Sequence, residues 1–389
     1  MEVKAVIEQQ PKKKNIFGKI DIRAYTMIGA LIAIWIFFGM LNETFLSARN
    51  LSNLFTQMSV TAILAIGMVL VIVAGHIDLS VGSIVGLTGG VAAILSNWMG
   101  MPTSVVIVCT LLAGALVGFV QGWLVAYRAI PAFIVTLGGM MIFRGALMGI
   151  TKSTTIPIFD AQFIALGSAY FTDIFGMILA AVAIVTLFIS TFRKRKSRQQ
   201  YGFTVSPLPI EIAKLLVISV LILLFVLTMN SYKGIPFPII FVIALALIFS
   251  FIATKTTFGR HVYAIGGNVE AARLSGINIQ RHTMMLFVFT GLLSAIAALV
   301  LTARLSSATI SAGQMYELDA IAACVIGGTS LMGGSGTIIG AIIGAMVMTS
   351  LDNGMSLLGM ETFWQYIVKG SILILAVWID IASRKRKTS

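Results

Sequence analysis

One pattern limits what this chain can become more than any other: an apolar run of about one span's length, a short polar break, then another such run, along 389 residues. A helix needs roughly 20 apolar residues to cross the hydrocarbon of a bilayer. Only structures that satisfy their own backbone hydrogen bonds survive there. Such runs fall near 24–41, 59–75, 81–99, 104–126, 131–150, 174–192, 212–230, 236–253, 283–303, 319–333, 336–351 and 364–382. The short pair in 319–351 reads equally as re-entrant segments. The expected fold class is therefore all-α, a polytopic membrane helical bundle of about 10–12 transmembrane helices. Composition agrees, with 58% hydrophobic and 11% charged residues, against about 25% charge in a soluble domain.

The net charge of +13 raises nucleic acid as a partner, but no aromatic-studded basic domain is present. Instead the Lys and Arg residues sit in short runs beside apolar segments, the arrangement that orients membrane proteins. They lie in KKKNIFGK near the start, RKRKSR at 193–198, the 254–282 segment and the terminal SRKRK. Twelve alternating spans place all four on the cytoplasmic side, and an even span count preserves that agreement. Residues 1–23 read as a cytoplasmic tail and 24–383 as the transmembrane domain, with 255–282 exposed to the cytoplasm. Residues 384–389 read as a basic cytoplasmic tail. The first apolar run is too long for a signal segment and has no cleavage site close behind it. Cys109 and Cys324 each lie in an apolar run, so no disulfide framework or metal site is expected. His76, His261 and His282 are scattered and lack ligand spacing.

GSIVGLTGG at 82–90 resembles GTIIGAIIG at 336–344, with glycines at matching positions: Gly82, Gly86, Gly90 and Gly336, Gly340, Gly344. On this span map both run from inside to outside, which suggests a parallel internal repeat. The plainer reading is a small-residue packing stripe of the kind common in membrane bundles. Gly114, Gly118 and Gly122 form such a stripe without a matching flank.

The most polar long stretch between spans contains VYAIGGNVEAARLSGINIQRH. Asn268 suits a helix N-cap, and Glu270 then falls in the first turn, where the helix dipole favours a carboxylate. Ala271, Ala272, Arg273 and Leu274 favour helix, and Gly276 suits the left-handed residue that ends one. The stretch predicts a short, self-capped helix that is too short to stand alone. It docks on its own bundle or on a partner.

Glu270-Ala-Ala-x-x-x-Gly276 resembles the coupling motif of permease subunits of bacterial ABC importers. YAIGGNVEAARLSGI and GHIDLSVGS resemble the monosaccharide branch of that family. SLDNGMS, FWQYIVKG and ELDAIAACVIGGTSLMGG are similar to its xylose-type members. The likeness runs from about residue 45 to the end and is weakest between about 190 and 235. It implies an inner-membrane permease that moves a monosaccharide, D-xylose before others. It also implies a cytoplasmic ATPase that holds the short helix in a cleft, and a periplasmic sugar-binding protein. Asn268, Glu270, Ala271, Ala272, Arg273 and Gly276 would form the coupling element. The sequence has no phosphate-cradling G-x-x-x-x-G-K-[ST] loop, so ATP is expected to be hydrolysed on a partner and no cofactor is expected here. One coupling motif per chain against two ATPase sites points to a homodimer. The alternative is a proton-coupled secondary sugar transporter, which has no use for this motif.

Ionisable residues inside a membrane are costly and face a cavity or a partner. Asp78, Arg144, Asp319 and Lys369 are such residues. Asp78 or Ser80 caps the following helix, or serves as a gate. Arg144 needs a carboxylate or carbonyls beside it. Glu317, Asp319, Asp352 and Asn353 fall near the outer face, as a docking surface or pathway mouth. No nucleophile–base arrangement stands out, so no enzyme chemistry is expected.

Overall fold

The computed structural model describes residues 22–203 and 205–388. The first basic run, KKKNIFGK, lies outside the described residues. The helices are α1 (Ile22–Leu41), α2 (Ala48–Val73), α3 (Val81–Ala93, extended by a π turn to Trp98), α4 (Thr103–Ala126), α5 (Ala132–Thr151), α6 (Ala161–Ser168), α7 (Asp173–Gln200) and α8 (Leu208–Asn230). They continue with α9 (Phe237–Lys255), α10 (Thr257–Gly267), α11 (Val269–Leu274), α12 (Ile279–Leu305), α13 (Tyr316–Ile326), α14 (Ile338–Leu357) and α15 (Thr362–Thr388). Two small antiparallel pairings join loops at one end: Ile156–Pro157 with Ser307–Ala308, and Tyr170–Phe171 with Ile235–Pro236.

Among the described residues, ten helices are long and apolar enough to cross a membrane. Of the twelve expected runs, the first is α1, whose described apolar part is shorter, Met27–Leu41. Of the two readings left open for the run at 319–333, the structure favours a short segment over a full span. α13 has only 11 residues, about 16 Å at the helical rise, and Gly327, Gly328, Gly333 and Gly334 break the chain behind it. The insert near 190–235 is the end of the hairpin α7–α8, closed by an Arg195–Glu211 ion pair of 2.6 Å. The basic tail at 384–388 continues the helix of α15.

α2 stands at the centre, buried on nearly every side, as expected of a helix that is apolar all round. It ends where Gly75 takes φ +84° and His76 N donates to Val71 O. α12 packs along α4 through the stripe Gly114, Gly118 and Gly122. A Cβ at these positions would meet the carbonyl oxygens of Gly291, Phe287 and Met284. Lipid supplies no hydrophobic drive between helices, so close van der Waals contact at small residues replaces it.

Two contact sets fix directions within the bundle. The side-chain amides of Asn50 and Asn353 bond reciprocally at 2.8 and 3.0 Å, joining the start of α2 to the end of α14. At the opposite end, Gly334 N donates to Val73 O at 2.8 Å. α14 therefore runs against α2, as does α3, which starts where α2 stops. The two glycine stripes thus point the same way, as expected, but their surroundings differ. Gly82 and Gly86 pack on Gly313, Glu317 and the Ala312 carbonyl, whereas Gly340 and Gly344 pack on Gly327 and Ala323 of the α13 region.

Candidate functional site

α11 and its flanks belong to the most polar long stretch predicted between spans, and the local chemistry is as read. Asn268 Oδ1 accepts from Ala271 N at 2.9 Å. Gly276, at φ +79°, donates to Arg273 O while Ile277 N donates to Ala272 O. That pair of bonds is the Schellman closure that a left-handed residue permits. Glu270 and Arg273 face each other at 3.4 Å but are largely exposed, so their attraction is weak. Ala272 is buried beneath the helix, and Leu274 stands 88% exposed above it. The helix thus presents an apolar tip on a rigid frame.

α10 anchors that frame. Its Val262 and Ile265 are buried, Tyr263 Oη donates to Gly336 O at 2.7 Å, and Gly266 leaves no room for a side chain against Val73 O. α11 therefore rides on a helix fastened to the end of α2 and to the loop before α14. The histidines were expected to be scattered, but two of them meet. His261 Nδ1 lies 3.1 Å from His282 Nε2, and His282 stacks on Phe258. Their separation of 21 residues, across a loop and two helices, hid the contact in the sequence.

The intramembrane polar groups are mostly tied down. Asp78 is buried; its Oδ1 accepts from Ser80 N at 2.8 Å and Ser80 Oγ at 2.6 Å, while Oδ2 has no partner. Ser80 holds the N-cap position of α3 but makes no side-chain cap bond; its hydroxyl instead accepts from Gln121 Nε2 at 2.9 Å. Arg144 is bonded by carbonyls: its Nη1 donates to Ile310 O at 2.8 Å and Ala312 O at 2.9 Å.

Asp319 and Asp352 are not a free outer surface. Lys369 on α15 bonds both, at 3.0 and 2.8 Å, beside a cavity of about 150 Å³ lined by Met315, Tyr366 and Leu373. Glu317 and Asp319 lie in the first turn of α13, where the helix dipole favours acids. Asn353 is engaged with Asn50. Asn353 thus stands apart from Asp78, at the opposite end of α2, whereas Asp78 and Arg144 both lie within electrostatic reach of Glu317. No group of three or more His, Cys, Asp or Glu suited to a metal occurs among the described residues.

Residues 50–377 match the family model described as the branched-chain amino acid transport system / permease component. The chain is 49% identical to a xylose transport system permease protein of Haemophilus influenzae, over 94% of this chain and 98% of that protein. It is 48% identical to the one of Escherichia coli K12, over 94% of each. A ribose import permease protein of H. influenzae is 36% identical over 93% of each. No solved structure matches the chain. The family match covers most of the chain, including every polar feature above, and the relatives align nearly end to end. The chain belongs to the branched-chain amino acid transport system permease-component family, as a multi-pass membrane permease.

Proposed function

We propose that the protein is the membrane subunit of an ATP-driven importer of D-xylose. A separate cytoplasmic ATPase hydrolyses the nucleotide, and a periplasmic sugar-binding protein delivers the sugar. The observation that carries the substrate is near full-length identity of 48–49% to xylose permeases, against 36% to a ribose permease. The family description speaks of branched-chain amino acids, but the relatives at the highest identities given above move pentoses.

In this reading α10 and α11 form the coupling element in the cytoplasm of an inner-membrane complex, with both chain termini on the same side. Asn268 and Gly276 hold the ends of α11, Ala271 and Ala272 allow close approach, and Glu270 and Arg273 frame the exposed Leu274. Because α10 is fastened at Val73 and Gly336, a push on α11 reaches α2 and α14 together, and these two helices cross the whole bundle. Two copies of the chain present two such elements to two ATPase sites.

The test is uptake of labelled xylose into proteoliposomes holding the permease, its ATPase and its binding protein, with ribose and leucine as competitors. ATP-dependent uptake that xylose competes for best is the expected result. Uptake driven by a proton gradient without the ATPase would overturn the reading, and so would competition by leucine above xylose.

A further inference from the structure

The segment between α12 and α13 is irregular backbone at membrane depth. Arg144 lies seven residues before the end of α5, about 10 Å below that end at the helical rise. The Ile310 and Ala312 carbonyls that it holds are therefore inside the hydrocarbon layer. One turn of α3 further on, Gly82 packs on Gly313. Residues 309–315 thus descend along α3 as a chain of turns, with Ala312 N donating to Thr309 O and Gln314 N to Ser311 O but no regular α-helix, before α13 completes the crossing.

One face of this strap is secured. Gly82 and Gly86 admit its backbone closely, Ala312 and Gly313 are buried, and Arg144 satisfies two of its carbonyls. The other face carries Ser311 and Gln314, both exposed. Lipid-exposed irregular backbone does not occur within hydrocarbon; it is tolerated where it lines a water-filled cavity or is buried in protein. Polar side chains on the open side of such a segment mark the watery case.

We propose that the open face of residues 309–315 lines the sugar pathway, and that Ser311 and Gln314 contact sugar hydroxyls. The inference rests on the proposed function and adds a location to it. A hydroxyl and a carboxamide each both donate and accept, which suits a monosaccharide whose hydroxyls do the same. The opposite wall is not part of this chain, because the face opens outward; a second copy supplies it.

The test uses the full permease–ATPase–binding-protein assembly in proteoliposomes. Cys109 is replaced by Ala, and Cys324 is buried. Ser311→Cys and Gln314→Cys are exposed to a charged, membrane-impermeant methanethiosulfonate, with Leu224→Cys on the outward face of α8 as the lipid-facing control. The expected result is severalfold faster modification at 311 and 314 than at 224, with a rate that changes during ATP turnover. Gln314→Ala should raise KM for xylose severalfold with little loss of maximal rate, and Gln314→Asn should restore part of it. Modification no faster than at 224 overturns the proposal. So does disulfide formation between two Ser311→Cys copies without reagent labelling, which would mean a dry protein interface. Labelling does not depend on which sugar moves, so a wild type that labels at 311 and 314 but ignores xylose refutes the substrate and leaves the pathway standing.

Discussion

Replacing Lys369 with Met should destabilise the bundle by about 3–5 kcal/mol, the usual cost of removing one partner from a buried ion pair. Lys369 Nζ holds Asp319 at 3.0 Å and Asp352 at 2.8 Å, and the three side chains are 19%, 6% and 16% exposed. Two carboxylate oxygens bonded to one nitrogen at those distances lie within about 6 Å of each other. Without the ammonium two ionised carboxylates would repel by up to roughly 3 kcal/mol at an effective dielectric of about 20, and they also lose the cation that holds them both. Asp352 Oδ1 already lacks a partner, which leaves little local compensation. The assay is unfolding of the purified permease in SDS-containing mixed micelles, followed by helical circular dichroism. The triple variant Lys369→Met/Asp319→Asn/Asp352→Asn removes the repulsion and should recover most of the loss. A Lys369→Met protein within about 1 kcal/mol of wild type would refute the reasoning, since that is the behaviour of an exposed pair. A triple variant no better than the single would refute it too.

Three other outcomes follow from local geometry. Gly118→Val should abolish a monodisperse folded permease, because the added carbon meets the Phe287 carbonyl, which cannot rotate away, whereas Gly149→Ala enters open space and should be neutral by size-exclusion chromatography. Asn268→Ala should cost α11 about 1 kcal/mol through the lost cap and Gly276→Ala a similar amount through the positive φ; each should raise amide exchange in 269–277 and reduce ATP-driven uptake while insertion stays normal. Asp78→Asn keeps the acceptor for Ser80 and should retain uptake, whereas Asp78→Ala strands two donors at about 1–3 kcal/mol and should lose it; an Asp78→Asn protein that inserts but cannot transport would favour proton coupling.

What the sequence disclosed follows from how local each signal is. The long spans were legible because length and apolarity alone decide them. α11 was legible because Asn268 and Gly276 act on backbone groups within three residues. Arg144 was recognised as needing a carboxylate or carbonyls, but which of the two was not legible, because the unwinding of 309–315 depends on α3 and α5 packing beside it. The Asp319–Lys369–Asp352 cluster joins three helices across 50 residues, and no spacing rule reaches that far. The His261–His282 contact was missed for the same reason. Between Asp78 and Ser80 as cap the sequence could not choose; Ser80 holds the N-cap position, but its hydroxyl is taken by Asp78 and by Gln121 on α4.

The glycine stripes acquire their meaning only beside the strap. Unwound backbone inside a membrane leaves carbonyls that must find donors, and a side-chain ladder long enough to supply them would crowd the crossing. This chain solves the problem on two sides at once. On α3, Gly82 and Gly86 bring a smooth wall close enough to exclude lipid, and Arg144 reaches past it with one nitrogen to two carbonyls. On α14, Gly340 and Gly344 receive α13 at backbone contact, so the short helix is clamped although it crosses only half the layer. Replacing any of these glycines with a larger residue would push the crossing outward, toward the face that carries Ser311 and Gln314. The similarity of the two stripes is therefore accounted for by a shared task, holding one broken crossing from both sides, whether or not they descend from one duplicated segment.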